Sequence, residues 1–222
     1  MDKKKYLAAM KKGDFVFALS LLGREVETVE DPELYYNFAI CCSRTGNYKK
    51  CIIVLKDLLK KFPRFIEKEN IYRLLIYSYI SLKNFPPALD LIEERLKMNF
   101  ADEKLLSFKA YILEHSGKIE EAIEVHRNIL KLNPEYLNSL NSIAYLLVHE
   151  RKASKEELNF AIDAIKKALT IANKNPAYLD TFGIILEKSG KITEAKKALQ
   201  RALSFAPAES VILDHLESLS FD

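Results

Sequence analysis

The sequence predicts an all-α fold of antiparallel helix pairs stacked side by side, on three observations. Leu, Lys, Ala, Ile and Glu dominate, and only 6 glycines and 7 prolines interrupt 222 residues, which is the composition of helix formers. A small residue recurs as Ala18, Cys51, Ala88, Ala122, Ala161 and Ala195, at separations that cluster around 34 with two longer steps. A turn signal stands at one fixed offset before almost every one of these: Gly13-Asp14-Phe15, Gly46-Asn47-Tyr48, Lys83-Asn84-Phe85, Gly117-Lys118-Ile119 and Gly190-Lys191-Ile192. Glycine supplies the left-handed conformation that ends one helix, and the polar residue after it opens the next.

The elements follow one plan in order. In residues 1–31 a helix runs to the Gly13 turn, and a second carries Ala18, Leu22 and Val26. Residues 32–65 begin with Leu34-Tyr35-Tyr36-Asn37-Phe38-Ala39, resume after Gly46 with Cys51, Leu55 and Leu59, and stop at Pro63. Residues 69–102 start late, after Ile66-Glu67-Lys68. Pro86 and Pro87 fall in the first turn of the second helix there, where a missing N–H is tolerated. Ala88, Ile92 and Leu96 mark that helix, and Phe100 takes the breaker's place. Residues 103–136 present Ala122, His126 and Leu130 before Pro134. Residues 137–175 present Ala161, Ile165 and Leu169 before Asn173, after a longer loop from His149 to Ser154 that ends in a capping box, Ser154-Lys-Glu-Glu157. Residues 176–209 repeat the plan with Ala195, Leu199 and Leu203 before Pro207. Residues 210–222 read as a closing helix whose apolar side is Val211, Leu213, Leu216 and Leu219, with Asp214, Glu217 and Ser218 outward. A small residue followed by bulky apolar residues at i+4 and i+8 defines the buried face of each second helix.

Helix, tight turn, helix and breaker at this period resemble the tetratricopeptide repeat (TPR) family. The small residue of the family's first helix matches Ala39, Ala110, Ala144 and Gly183, and its proline matches Pro63, Pro134 and Pro207. Ile76 and Arg95 depart from the pattern in the third repeat, which is expected to pack more loosely. Pro176-Ala-Tyr-Leu-Asp-Thr-Phe-Gly is most like bacterial members. The resemblance spans residues 1–222 as a single domain and implies a right-handed solenoid of six repeats closed by the C-terminal cap.

Chemistry-bearing patterns are scarce. There is no P-loop, dinucleotide-binding turn or His-Glu-x-x-His motif, so no enzyme and no cofactor are expected. Cys41, Cys42 and Cys51 have neither disulfide nor zinc spacing; Cys42 and Cys51 are expected in the core and Cys41 at an accessible position. His115 and His149 occupy one register in successive repeats, but helices packed about 8–10 Å apart do not bring such a pair onto one metal. His126 reads as a hydrogen-bonded, partly buried ring, and His215 belongs to the cap. No leader peptide or membrane-length apolar run is seen, which points to the cytoplasm.

The family resemblance implies that first helices line a concave groove that takes a peptide or a partner helix. The expected groove residues are Tyr36, Asn37, Arg73, Tyr77, Lys104, Phe108, Tyr111, Asn138, Asn141, Tyr145 and Asp180. One column runs Ile40, Tyr77, Tyr111, Tyr145, Ile184, and it suits either an exposed recognition strip or packing between helices. The Lys-Asn carboxylate clamp of chaperone-tail binders is missing, since those places carry Tyr36 and Ile40, Arg73 and Tyr77, Ser107 and Tyr111. The implied function is a protein–protein scaffold, with a monomer favoured. Two alternatives stand beside it: binding of RNA or another anionic polymer by the basic residues of repeat two, and a structural subunit of a larger complex. The net charge of +3 is too small to argue for nucleic acid by itself, and Lys49, Lys50, Lys56, Lys60, Lys61, Arg64 and Lys68 also suit a solvated face.

Overall fold

The computed structural model describes residues 3–26, 28–149 and 153–219, and among these it is all-helical. The chain forms two compact units, Met1–Phe100 and Ala101–Asp222. The first holds α1 (Lys3–Lys11), α2 (Phe15–Gly23), α3 (Pro32–Arg44), α4 (Tyr48–Lys61), α5 (Lys68–Ser81) and α6 (Phe85–Met98). Its helices pair as α1–α2, α3–α4 and α5–α6, and the pairs stack through α2 on α3 and α4 on α5. The second holds α7 (Glu103–His115), α8 (Ile119–Leu132), α9 (Leu137–Val148), α10 (Lys155–Ile171), α11 (Pro176–Lys188), α12 (Ile192–Phe205) and α13 (Ser210–Ser218). There α7–α8, α9–α10 and α11–α12 pair, α9 packs on α8 and α11, and α13 covers α11 and α12.

One hydrogen bond recurs in the tight turns and explains their spacing. The amide three residues past the helix end reaches back to the carbonyl five residues earlier: Asp14 to Ala9, Asn47 to Cys42, Asn84 to Tyr79, Lys118 to Leu113 and Lys191 to Leu186, at 2.7–3.0 Å. The residue between must turn left-handed, and it is glycine in four of these turns and Lys83, at φ 55°, in the remaining one. Asp14, Asn47, Asp102 and Asn175 then cap the following helices, and Ser154 and Glu157 form the reciprocal capping box. The helices that precede Pro63, Phe100, Pro134, Asn173 and Pro207 each stop two residues before that residue.

The two leading columns lie in the core. Ala18, Cys51, Ala88, Ala122, Ala161 and Ala195 are fully buried, and Leu22, Leu55, Ile92, His126, Ile165 and Leu199 nearly so. The third column needs correction. Of the positions expected at i+8, Val26 is buried, but Leu59, Leu96, Leu130, Leu169 and Leu203 are only half-buried, while Leu58, Arg95, Ile129, Ala168 and Ala202 at i+7 are buried. Seven residues at 3.6 per turn return almost to the starting direction, whereas eight swing well past it. The cap is corrected in the same way: α13 buries Ile212 and Leu219, and leaves Val211 and Leu213 exposed. Residues 220–222 of the expected cap and 150–152 of the expected loop lie outside the described residues.

Arg95, one of the departures in the third repeat, is buried and held by its neighbours. Its guanidinium lies 4.3 Å from the Tyr72 ring centroid and pairs with Glu69 and Glu94. Cys41 is not accessible: α3 is packed by α2, α4 and α5, and the side chain is fully buried with Cys42 and Cys51. Burial pushes the Cys41 thiol up to about 11 and the Cys42 thiol to about 12, so both stay protonated at neutral pH.

Candidate functional site

In the first unit, α3 and α5 carry four of the expected groove residues. Tyr36 is half-buried with its ring edge-on to Phe65 at 6.1 Å. Asn37 is half-buried and hydrogen-bonds Tyr6, a buried anchor of α1. Arg73 is half-buried. Tyr77 is 43% exposed and meets Tyr48 edge-on at 6.0 Å, so one side of its ring is packed and the other is open.

In the second unit, α7, α9 and α11 carry the rest. Lys104 is exposed, its ammonium 5.2 Å from the centroid of the half-buried Phe108 ring. Tyr111 is 43% exposed and stacks on His115 at 3.9 Å, with planes 26° apart. His115 Nδ1 lies 2.9 Å from the Tyr111 carbonyl, a contact in which the ring N–H donates and which fixes the imidazole against the tyrosine. Tyr145, half-buried, stacks on His149 at 4.6 Å in the same manner. Asn138 is exposed and accepts a hydrogen bond from the Tyr178 hydroxyl at 2.9 Å. Asn141 is half-buried, with its side-chain oxygen shielded and lacking a hydrogen-bond partner among the described residues.

Asp180 differs from the others. It is buried, and its carboxylate lies 2.8 Å from His215 Nδ1 of the closing helix. Ile184, the column residue on the same helix, is buried as well. The cap therefore covers the end of the series.

A hollow of about 450 Å³ lies between the end of α7, the Gly117 turn and α9. His115 and Tyr145 line it together with Glu114, Ile119 and Leu146, so one ring from each tyrosine–histidine stack faces this concavity. The bracing histidines are the part that residue-by-residue reading misses. Their signal is the i, i+4 spacing of Tyr111 with His115 and of Tyr145 with His149, which places each pair on one helix face.

The remaining polar clusters tie helices together. His126 of α8 bridges Glu114 of α7 through Nε2 at 2.6 Å and Ser139 of α9 through Nδ1 at 3.0 Å. A carboxylate only accepts, so Nε2 carries the hydrogen. Among the described residues no three His, Cys, Asp or Glu side chains converge as metal ligands, and no helix is long and apolar enough to cross a membrane.

Comparison with known proteins agrees with this architecture. The tetratricopeptide repeat family model matches residues 178–209. The TPR repeat-containing protein YpiA of Bacillus subtilis is 22% identical over 190 residues, covering 86% of this chain and 43% of its own length. The TPR repeat-containing protein MJ1428 of Methanocaldococcus jannaschii is 25% identical over 178 residues, covering 73% of this chain and 30% of its own length. The chain thus spans less than half the length of these curated relatives. Among solved structures, a tetratricopeptide repeat protein from Parabacteroides merdae superposes with a TM-score of 0.68 at 17% identity, over 86% of this chain and 72% of that one. The Cut9–Hcn1 hetero-tetramer of APC/C gives a TM-score of 0.75 at 14% identity, over 96% of this chain and 41% of that one. YrrB, a TPR protein with an unusual peptide-binding site, gives 0.58 at 15% identity, over 87% of this chain and 96% of that one. With its small-residue columns buried and its left-handed turns in register, the chain has the helical-hairpin fold of tetratricopeptide repeat proteins, and residues 178–209 match that family's model.

Proposed function

We propose that this chain is a protein-interaction scaffold that holds an extended or helical segment of a partner protein against its first helices. The observation that carries the reading is the half-open Tyr111, braced by His115, which lines the same hollow as Tyr145. A tyrosine held on one face and free on the other offers rigid apolar area and a hydroxyl with little entropy left to lose. Exposed Lys104 nearby in sequence on α7 favours a segment with acidic side chains, and Asn138 supplies amide hydrogen bonds for its backbone. YrrB, a TPR protein with an unusual peptide-binding site, supports the reading by analogy of fold.

Affinity capture from the native host, with partners identified by mass spectrometry and then measured as purified segments, tests the proposal. Tyr111→Ala is expected to weaken binding by about 1–2 kcal/mol or more with its melting curve unchanged. If Tyr111→Ala unfolds the protein with no selective loss of binding, the tyrosines are packing residues and the reading fails. The anionic-polymer alternative has less support. Lys61 hydrogen-bonds Tyr35 and pairs with Asp57, and Lys56 lies over Tyr79. Binding by that strip would fall steeply with added salt.

A further inference from the structure

The insertion in the fifth repeat builds a second surface. In α2, α4, α6, α8 and α12 the small column residue is the fourth of its helix, but in α10 Ala161 is the seventh. The three added residues extend α10 by almost one turn at its start. Between this added turn, α8 and α9 lies an open cleft of about 460 Å³. Its floor is apolar, with Leu147 buried and Leu130 half-buried, and Phe160 stands on its wall 44% exposed. The position before the small residue is Lys50, Pro87, Glu121 and Glu194 in four other repeats, and only Phe17 of the first repeat is also aromatic. One lip of the cleft, from α8, is basic with Arg127 and Lys131; the other, from α10, is acidic with Glu156 and Glu157.

We propose that this cleft is a homodimer interface and that its occupant is a second copy of the same chain. A self-association surface must be complementary to itself, and this one holds both halves of the match. Phe160 is an exposed apolar wedge beside an apolar hollow, and the lips carry opposite signs. A twofold axis running along the cleft sets each basic lip against the partner's acidic lip and each Phe160, on the α10 side, against the partner's α8 side. A twofold across the cleft sets like charge on like, which is repulsive, so the charge pattern selects one arrangement. Among the described residues, Arg127 and Lys131 make only long, exposed contacts, to Glu124 at 3.9 Å and to Asn128 at 3.4 Å, which suits them to meet a partner's carboxylates.

Sedimentation equilibrium of the full chain tests this. The wild-type chain is expected to dimerise reversibly, and Phe160→Asp to be monomeric with an unchanged melting curve. Lys131→Glu and Glu156→Lys are each expected to weaken self-association about tenfold or more through like-charge contacts. Mixed in equal amounts, the two charge variants restore the dimer, because each then meets the opposite sign. Glu157 is left intact because it caps α10. A monomeric wild type overturns the proposal. So does a dimer that survives all three substitutions, or charge variants that fail to recover on mixing.

Discussion

Gly183 shows how much a single residue decides in this fold. A methyl group at that position would come within 2.7 Å of Leu199 Cγ and 2.8 Å of its Cδ2. Leu199 is itself buried, so it has little room to yield. Alanine would gain about 1 kcal/mol of helix propensity, while overpacking costs about 1–3 kcal/mol. Gly183→Ala is therefore expected to be destabilising on balance, by about 1 kcal/mol, as read from denaturant midpoints. In the Leu199→Ala background the overpacking term disappears, and the same change is expected to be neutral or stabilising. Gly183 was legible as a small-residue position because Ala39, Ala110 and Ala144 share its register. The accessibility of Cys41 was misread for a reason of the same scale. Helical period names one buried face, but α3 is packed on several sides, and only the neighbours reveal that.

At the scale of elements, α13 carries a pH dependence. His215 Nδ1 meets the Asp180 carboxylate of α11 at 2.8 Å, and this hydrogen bond, followed by the charges of Asp180, Glu187 and Asp214, raises the His215 pKa above 6.5 against the opposing effect of burial. His149 of α9 faces the same ring, edge-on at 5.6 Å. Because the folded value exceeds the unfolded one, the pair's contribution is complete below the unfolded pKa of 6.5 and is lost as pH rises through the raised folded value. Hydrogen exchange in α13 is expected to accelerate across that window beyond its intrinsic pH dependence. His215→Ala is expected to remove the excess. An equal pH response in His215→Ala would show that the clasp does not hold the helix. Sequence patterning placed this helix and its inward Leu219, but also chose Val211 and Leu213 for the inner side, where the contact with α11 and α12 buries Ile212 instead.

For the molecule as a whole, stability rests on interfaces between neighbouring pairs, because one hairpin cannot bury its own apolar face. In the second unit, Ala122 and Ile123 of α8 share one apolar cluster with Leu140, Ile143 and Ala144 of α9, and with Ala161 and Ile165 of α10. Ala122 is fully buried, so Ala122→Leu is expected to cost about 1–3 kcal/mol by overpacking. In a nearest-neighbour array the loss of hydrogen-exchange protection should be largest in α7, α8 and α9 and smaller in α12 and α13. A uniform loss across α7 to α13 would mean that the unit opens as one block, contrary to repeat-like behaviour.

What the sequence determined by itself is everything fixed by local geometry. Turn residues needing a left-handed backbone, breakers and a period near 34 are written in residues adjacent along the chain and appear where they were expected. So do the caps at Asp14, Asn47 and Ser154, whereas Asn84, Lys118 and Lys191 open their helices without a side-chain cap. The two leading columns were legible for the same reason, since i and i+4 lie on one helix face. Tertiary structure alone decided which of two adjacent faces is deeper, as at i+7 against i+8. It also decided that Asp180 is covered by the cap while Tyr77 and Tyr111 stay half open. The cleft behind the fifth repeat and the histidine braces of the tyrosines belong to the same class. Exposure of a side chain depends on what a different helix places over it, and that helix lies tens of residues away in a sequence whose pattern records only its own period.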